Sequence, residues 1–524
     1  MPSAFGRDPA SGRHGVHGGR LRWRRAKHRR PLLRLAAPSG NGMPPMSSPF
    51  GPDPASGGRG GRVRSRAKHA RPILRLAAPS GSVRTDVASP AAAPAKHART
   101  SLARRLRQDH LVSNSLYLML NSGLQAAAGF VFWIVGAHLF TVTDVGLATS
   151  LLSALGVIAF TALLGLNSAI VRYLPRSSER NVLMTASLAL VAGCGALLAL
   201  GYLAIMPAVS PKLAFVAHDP AMAAGFVLLG VAGPLNLITD SIFIGLRQAR
   251  FNALVDGGIG GTVKIVAAVV VAGTGAYGLF MASAIGYAVA AAASVVLLVK
   301  VNRFRPSLSG ARAVLRPLAR FSAANYVGGL LTLLPTFLIP LIVLDRVGVH
   351  ASAYYYIAYQ LVGLLFAGVF AVEQSFLSEG SHEGVELRAV MRRSWRLLAL
   401  FCIPATVVLA LGAPWLLLLF GHSYSVHGAD VLIVLATAAL PFGAFNWLLT
   451  VLRLIGRLRP IVVGNVVFAV LTCGLAWVLA PRGIVAVAAA WPVGLTVAAA
   501  TVGVPVWRWA RHTPERSQVT GSNS

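Results

Sequence analysis

The sequence predicts an all-α polytopic membrane protein of about twelve transmembrane helices, arranged as two co-oriented six-helix bundles behind a disordered N-terminal arm. Three observations predict it. Twelve apolar stretches of spanning length follow one another between about Ser113 and Val506, basic residues crowd alternate connections, and charge is scarce overall. A helix needs about 20 apolar residues to cross ~30 Å of hydrocarbon. The chain is 55% hydrophobic and only 12% charged, with a mean hydropathy of +0.65; a soluble domain carries about 25% charge.

In order, the predicted spans are 113–137, 146–170, 183–206, 223–245, 253–273 and 277–299, then 321–344, 352–377, 397–420, 429–452, 460–480 and 484–507. Connections after even-numbered spans, with the C-terminal tail, hold 21 Lys and Arg, from Arg172 to Arg516. Those after odd-numbered spans hold three, Lys212, Arg346 and Arg482, beside Asp144, Asp219, Asp345 and Asp430. Cytoplasmic connections carry the Lys/Arg excess, so both termini are expected in the cytoplasm of a plasma-membrane protein. A miscounted helix would scramble the alternation.

Residues 1–110 form the expected arm, with 23 Lys and Arg against 4 acids. The segment repeats itself. Phe5–Gly12 returns as Phe50–Gly57, and Ala26–Gly40 returns as Ala67–Gly81. Rich in Arg, Pro, Gly and Ser, it cannot bury enough apolar surface to offset its ordering entropy. Either it rests on anionic lipid as a polybasic arm, or it is filler, including a reading frame whose true start lies at Met43 or Met46. The net charge of +32 would suit nucleic acid taken alone, but it sits in the arm and loops without a nucleic-acid motif. Cys194, Cys402 and Cys473 fall inside spans without paired spacing and imply neither disulfide nor metal.

The spans divide six and six. A bundle at 111–300, a basic linker at 301–320, a bundle at 321–510 and a tail at 511–524 are the expected units. Weak internal matches support the division: Tyr117 with Tyr326, Pro234 with Pro441, Arg250 with Arg459 and Gly278 with Gly483 recur about 207 residues apart. An even number of helices per half makes the repeats parallel, a layout suited to alternating access.

Several residues resemble a known family. Leu111–Pro175, with an Asn/Ser-flecked first helix, the Thr143–Gly146 turn (TDVG) and the Gly165–Pro175 exit (GLNSAIVRYLP), resembles the opening of polysaccharide transporters. These are the O-antigen and teichoic-acid flippases of the multidrug/oligosaccharidyl-lipid/polysaccharide, MATE-like, superfamily. The Gly245–Phe251 loop (GLRQARF) before a glycine-rich fifth helix is similar to the same family. The resemblance covers about residues 111–510. It implies flipping of a polyprenyl-diphosphate-linked oligosaccharide, a cell-surface polysaccharide precursor, from the inner to the outer leaflet. Related drug/cation antiporters commonly carry an acid in the first helix, and this first helix has none.

Ionisable groups inside a span are functional candidates because isolated they cost several kcal/mol. Lys264 follows Gly257, Gly258, Gly260 and Gly261 on the fifth helix; it either holds a diphosphate as a point charge or pairs internally with Asp256 or Asp240. Asp256, Asp240 and Glu373 are candidates for a coupling proton or sodium ion, or for pairing with loop arginines. Arg172 either anchors at the interface or lines the cavity mouth. Asn121, Gln125, Asn325 and Tyr326 either bond between helices or contact sugar hydroxyls. Pro234, Pro335, Pro340 and Pro441 should kink their helices.

The expected partners are therefore a lipid-linked glycan, membrane lipids and a coupling ion. No cofactor, catalytic residue or metal site is expected, and no Walker motif points to ATP. An ion-coupled multidrug or metabolite exporter, or a peptidoglycan-precursor flippase, is the alternative on the same fold. A glycosyltransferase or ligase fits less well, because the outer connections are short and their acids isolated.

Overall fold

The structure, a computed structural model, describes residues 110–381 and 386–512, without the side chains of 110–116, 319–321, 323–325 and 512. The repetitive arm, the end of the tail and the side chain of Asn325 lie outside the described residues. Among those residues, twelve helices are long and apolar enough to cross a membrane, and no strand occurs. They are α1 His110–Leu139, α2 Val142–Ala162, α3 Arg180–Val209, α4 Pro220–Gly245, α5 Arg250–Val270 and α6 Gly275–Asn302. The second six are α7 Ala311–Arg346, α8 Val349–Gly380, α9 Leu387–Leu411, α10 His422–Leu454, α11 Leu458–Leu479 and α12 Ile484–Arg511.

Local chemistry sets the helix ends. The Thr141 hydroxyl accepts from the Asp144 amide at 3.1 Å while the Asp144 carboxylate accepts from the Thr141 amide at 3.2 Å, a reciprocal cap opening α2. Asp219 accepts from the amides of Ala221 and Met222, with Pro220 as the first residue of α4. Two of the four acids on the connections after odd-numbered spans thus cap helices. At its other end α2 breaks where Leu164 and Gly165 take φ of 49° and 73°, then resumes as the short helix Leu166–Tyr173. Gly165 is needed there, since a side chain would also meet the Ser322 carbonyl of α7.

Several boundaries differ from the sequence expectation, among them the second span, whose helix ends at Ala162 rather than 170, and the ninth, which stops at Leu411 rather than 420. The linker 301–320 is helical from Ala311, and α9 starts at Leu387 rather than near residue 397. Arg388, Arg392, Arg393 and Arg396 therefore stand on a helix instead of in a loop. Hydropathy averages cannot see a helix that continues through arginines, because a long side chain keeps its charge in water while its stem covers apolar surface.

The two bundles repeat in space. Gly286 of α6 admits Lys264 of α5, where a Cβ would come within 2.9 Å of the lysine Cβ; 208 residues later, Gly494 of α12 admits Thr472 of α11 in the same way. At the end away from the arginines the bundles meet. Thr143 Oγ1 lies 2.9 Å from His350 Nε2, residues 207 apart in sequence, and Ser150 and Ser352 share a 3.0 Å hydroxyl bond. Lys212 Nζ donates to the carbonyls of Leu344 at 2.6 Å and Asp345 at 3.1 Å, closing the end of α7. Gly146 packs so closely on the Val349 carbonyl that no Cβ fits.

Candidate functional site

A cavity of about 340 Å³ lies among the spanning helices, lined mostly by the first bundle. Helix α5 shapes it. Ala253–Gly260 is π-helical, a wider coil that interrupts the regular ladder and is often found at functional sites. Its glycines bring α5 against α1: Gly257 abuts Leu124, and Gly261 abuts Ala128. The widened turn ends one turn before Lys264. The glycines thus carve the space that the lysine enters.

Lys264 is half-buried on the cavity wall. Its ammonium faces bare backbone at Gly129, where a Cβ would lie 3.9 Å away, and the Phe132 ring, with the centroid at 5.9 Å. Among the described residues it makes no hydrogen bond or ion pair, so the internal pair with Asp256 or Asp240 does not form. The two acids turn to each other instead. Their carboxyls lie within hydrogen-bonding reach, and Asn236 Nδ2 donates to Asp256 Oδ1 at 2.7 Å. The remaining oxygens, Asp240 Oδ1 and Asp256 Oδ2, are buried without a partner among the described residues. Two full negative charges at that range repel, so a proton or a cation between them would satisfy both.

Of the sequence-selected residues, the cavity gathers Lys264, Asp256, Asp240 and Gln125. The others lie elsewhere. Asn121 is buried between α1 and α5, its oxygen facing Gly257. The Tyr326 hydroxyl donates to the Thr161 carbonyl at 3.0 Å and ties α7 to the end of α2. Arg172 lies outside the cavity lining, exposed, with its guanidinium 5.8 Å from the Tyr173 ring centroid. Glu373 is buried but bound: Arg453 Nη1 and Thr450 Oγ1 each donate to it at 2.8 Å, joining α8 to α10.

Sequence reasoning missed Asn236, Ser283, Tyr356 and Gln360, which also line the cavity. Asn236 and Gln360 were detectable, as uncharged polar residues inside apolar spans. The aromatic wall of Phe132, Trp133, Phe160, Phe337 and Tyr356 carried no such signal. The second bundle fills the corresponding space. Gly260 and Ser283 of the first bundle have Phe468 and Trp491 as counterparts 208 residues on. Those rings lie 5.8 Å apart, Trp491 stacks toward Tyr359 at 5.1 Å, and its Nε1 donates to Tyr355 Oη at 2.7 Å. The charged groups that line the cavity, Asp240, Asp256 and Lys264, all belong to the first half.

A family model described as polysaccharide biosynthesis protein matches residues 135–427. The chain belongs to this family. Solved structures share its fold at low identity. An inward-facing multidrug resistance MATE family transporter of the MOP superfamily aligns with a TM-score of 0.60 at 15% identity, covering 76% of this chain and 99% of its own. The lipid II flippase MurJ, in an inward closed conformation, aligns with 0.58 at 13%, covering 73% and 87%. A MOP superfamily transporter from Pyrococcus furiosus Vc1, described as having a binding pocket of reverse polarity, aligns with 0.53 at 16%, covering 77% and 95%. Among curated proteins none matches the chain. This family member is therefore a multi-pass membrane protein built on a transporter fold.

Proposed function

We propose that this chain flips a polyprenyl-diphosphate-linked oligosaccharide from the cytoplasmic to the outer leaflet, with both termini in the cytoplasm. One observation carries the reading: the Lys264 ammonium stands in a cavity between the spanning helices with no carboxylate paired to it among the described residues. A lone cation in low dielectric is costly, and an anionic ligand offsets that cost as no neutral one can. A diphosphate at Lys264 places the sugars toward Gln125, Gln360 and the aromatic wall, while the prenyl chain stays in lipid.

Asp240 and Asp256 supply the coupling site. A proton or sodium ion between the two carboxyls satisfies their partnerless oxygens, with Asn236 holding Asp256 in place. Loading and release of that ion, in the same cavity as Lys264, would couple the gradient to cargo binding. The cross-bundle contacts at Ser150–Ser352 and Lys212–Leu344 then close the outer side of the cavity.

The same two carboxylates favour a second reading, export of an organic cation. The variants Lys264→Gln and Asp256→Asn separate the two, scored by lipid-linked glycan retained in the inner leaflet and by efflux of cationic dyes. Glycan retention with Lys264→Gln supports flipping. Normal glycan export with Lys264→Gln, together with dye efflux lost in Asp256→Asn, overturns it in favour of cation export.

A further inference from the structure

The first stretch of α9 carries a second cationic feature, remote from the cavity lining. A recess of about 440 Å³ opens beside Arg388, Arg392, Arg393 and Arg396, with Glu386 as the one acid among its described lining residues and Leu397 and Leu400 also lining it. Arg393 contacts Glu379 at 3.3 Å on the surface, and Arg388 donates to the Ala510 carbonyl at 2.8 Å. Arg392 and Arg396 are exposed and have no hydrogen bond or ion pair among the described residues.

The order of residues along the helix matters more than the charge count. Steps of three and four keep side chains on one helical face. Arg388, Arg392 and Arg396 continue on that face as Leu400, Ile403, Val407 and Leu411. The four aliphatics are 72%, 53%, 49% and 70% exposed. At about 1.5 Å per residue, Leu400 to Leu411 spans ~16 Å, which is half of a ~30 Å hydrocarbon core. Trp395, partly exposed beside the arginines, marks the interface depth that aromatic belts occupy. One ridge thus presents guanidiniums at headgroup level and a bare apolar track one leaflet long beneath them.

We infer that this ridge of α9 is a binding site for one anionic phospholipid of the leaflet at the arginine end. Its phosphate lies in the recess between Arg392 and Arg396, and an acyl chain lies along Leu400–Leu411. Guanidiniums match phosphate oxygens in geometry as well as charge. A zwitterionic headgroup would bring a second cation into the recess, and free phosphate would leave the apolar track uncovered. The site is independent of the cargo that the cavity carries.

The test uses the full chain purified in detergent and titrated with dioctanoyl phosphatidylglycerol, dioctanoyl phosphatidylcholine or inorganic phosphate. Thermal unfolding is followed, and bound lipid is counted by native mass spectrometry. Phosphatidylglycerol should raise Tm saturably, with one lipid retained, while the other two should not. Arg392→Gln/Arg396→Gln should lose most of the rise and the retained lipid. Arg247→Gln/Arg250→Gln, an equal loss of charge at the turn between α4 and α5, should keep both. Equal rises with both lipids, an unchanged response of the Arg392/Arg396 variant, or a full rise with phosphate alone each overturn the proposal. Should that variant fail to fold, Arg392→Ala alone and the wild-type lipid count decide it.

Discussion

The Ser150 hydroxyl of α2 meets the Ser352 hydroxyl of α8 at 3.0 Å, across the boundary between the two bundles and away from the arginine-rich end. Both residues are fully buried, so the contact exists only while this end is closed. With Thr143–His350 and Lys212–Leu344 it forms the polar seam that must part if the cavity is to open outward.

A covalent bond placed there should stop the cycle. The variant Ser150→Cys/Ser352→Cys needs only a shift of about 1 Å to reach disulfide length. Oxidation should abolish transport and reduction should restore it, with each single variant insensitive. Full transport by a verified cross-linked protein would show that the seam stays shut throughout.

Gly146 offers a steric test of the same closure. A Cβ there collides with the Val349 backbone, which cannot swing away as a side chain could. Gly146→Ala should destabilise the closed arrangement by about 1–3 kcal/mol, the usual cost of overpacking. Cysteine probes near His350 should then gain labelling from the outer side, alongside a lower Tm.

Glu373 and Arg453 predict a stability effect without a specificity effect. The acid is almost fully buried and the arginine is 42% exposed, so the pair lies between the surface and interior limits. Glu373→Ala should cost about 1–3 kcal/mol, discounted from the fully buried case for the exposure of the arginine. Glu373→Ala/Arg453→Ala should recover part of that loss in a double-mutant cycle. An ion-dependence of transport altered by Glu373→Gln alone would instead give it a coupling role.

Asp256→Asn predicts the converse. The amide oxygen can still accept from Asn236, so unfolding temperature should change little. The site loses its capacity for an ion, and gradient-dependent transport should fall by at least tenfold. Retained coupling would remove Asp256 from the mechanism.

The membrane class and the count of twelve helices were legible in the sequence, because hydropathy and loop charge are properties of short windows. Lys264, Asp240, Asp256 and Gln125 were legible for a related reason: a polar group in an apolar run is conspicuous wherever the helix faces. What could not be read was whom each group faces. Glu373 and Asp256 look alike in sequence, yet one is bound by Arg453 and the other turns to Asp240. The basic start of α9 was hidden because arginines end an apolar window without ending a helix.

By itself the sequence determined a twelve-helix, two-bundle membrane protein and the short roster of buried polar groups, since local composition dictates what can cross hydrocarbon. Only the tertiary structure decided that Lys264 stays unpaired and that the two acids share one site. It also decided that Phe468 and Trp491 fill the second half where Gly260 and Ser283 leave the first half open. Pairing and packing join residues far apart in the chain, and distance across the fold leaves no trace in any local window.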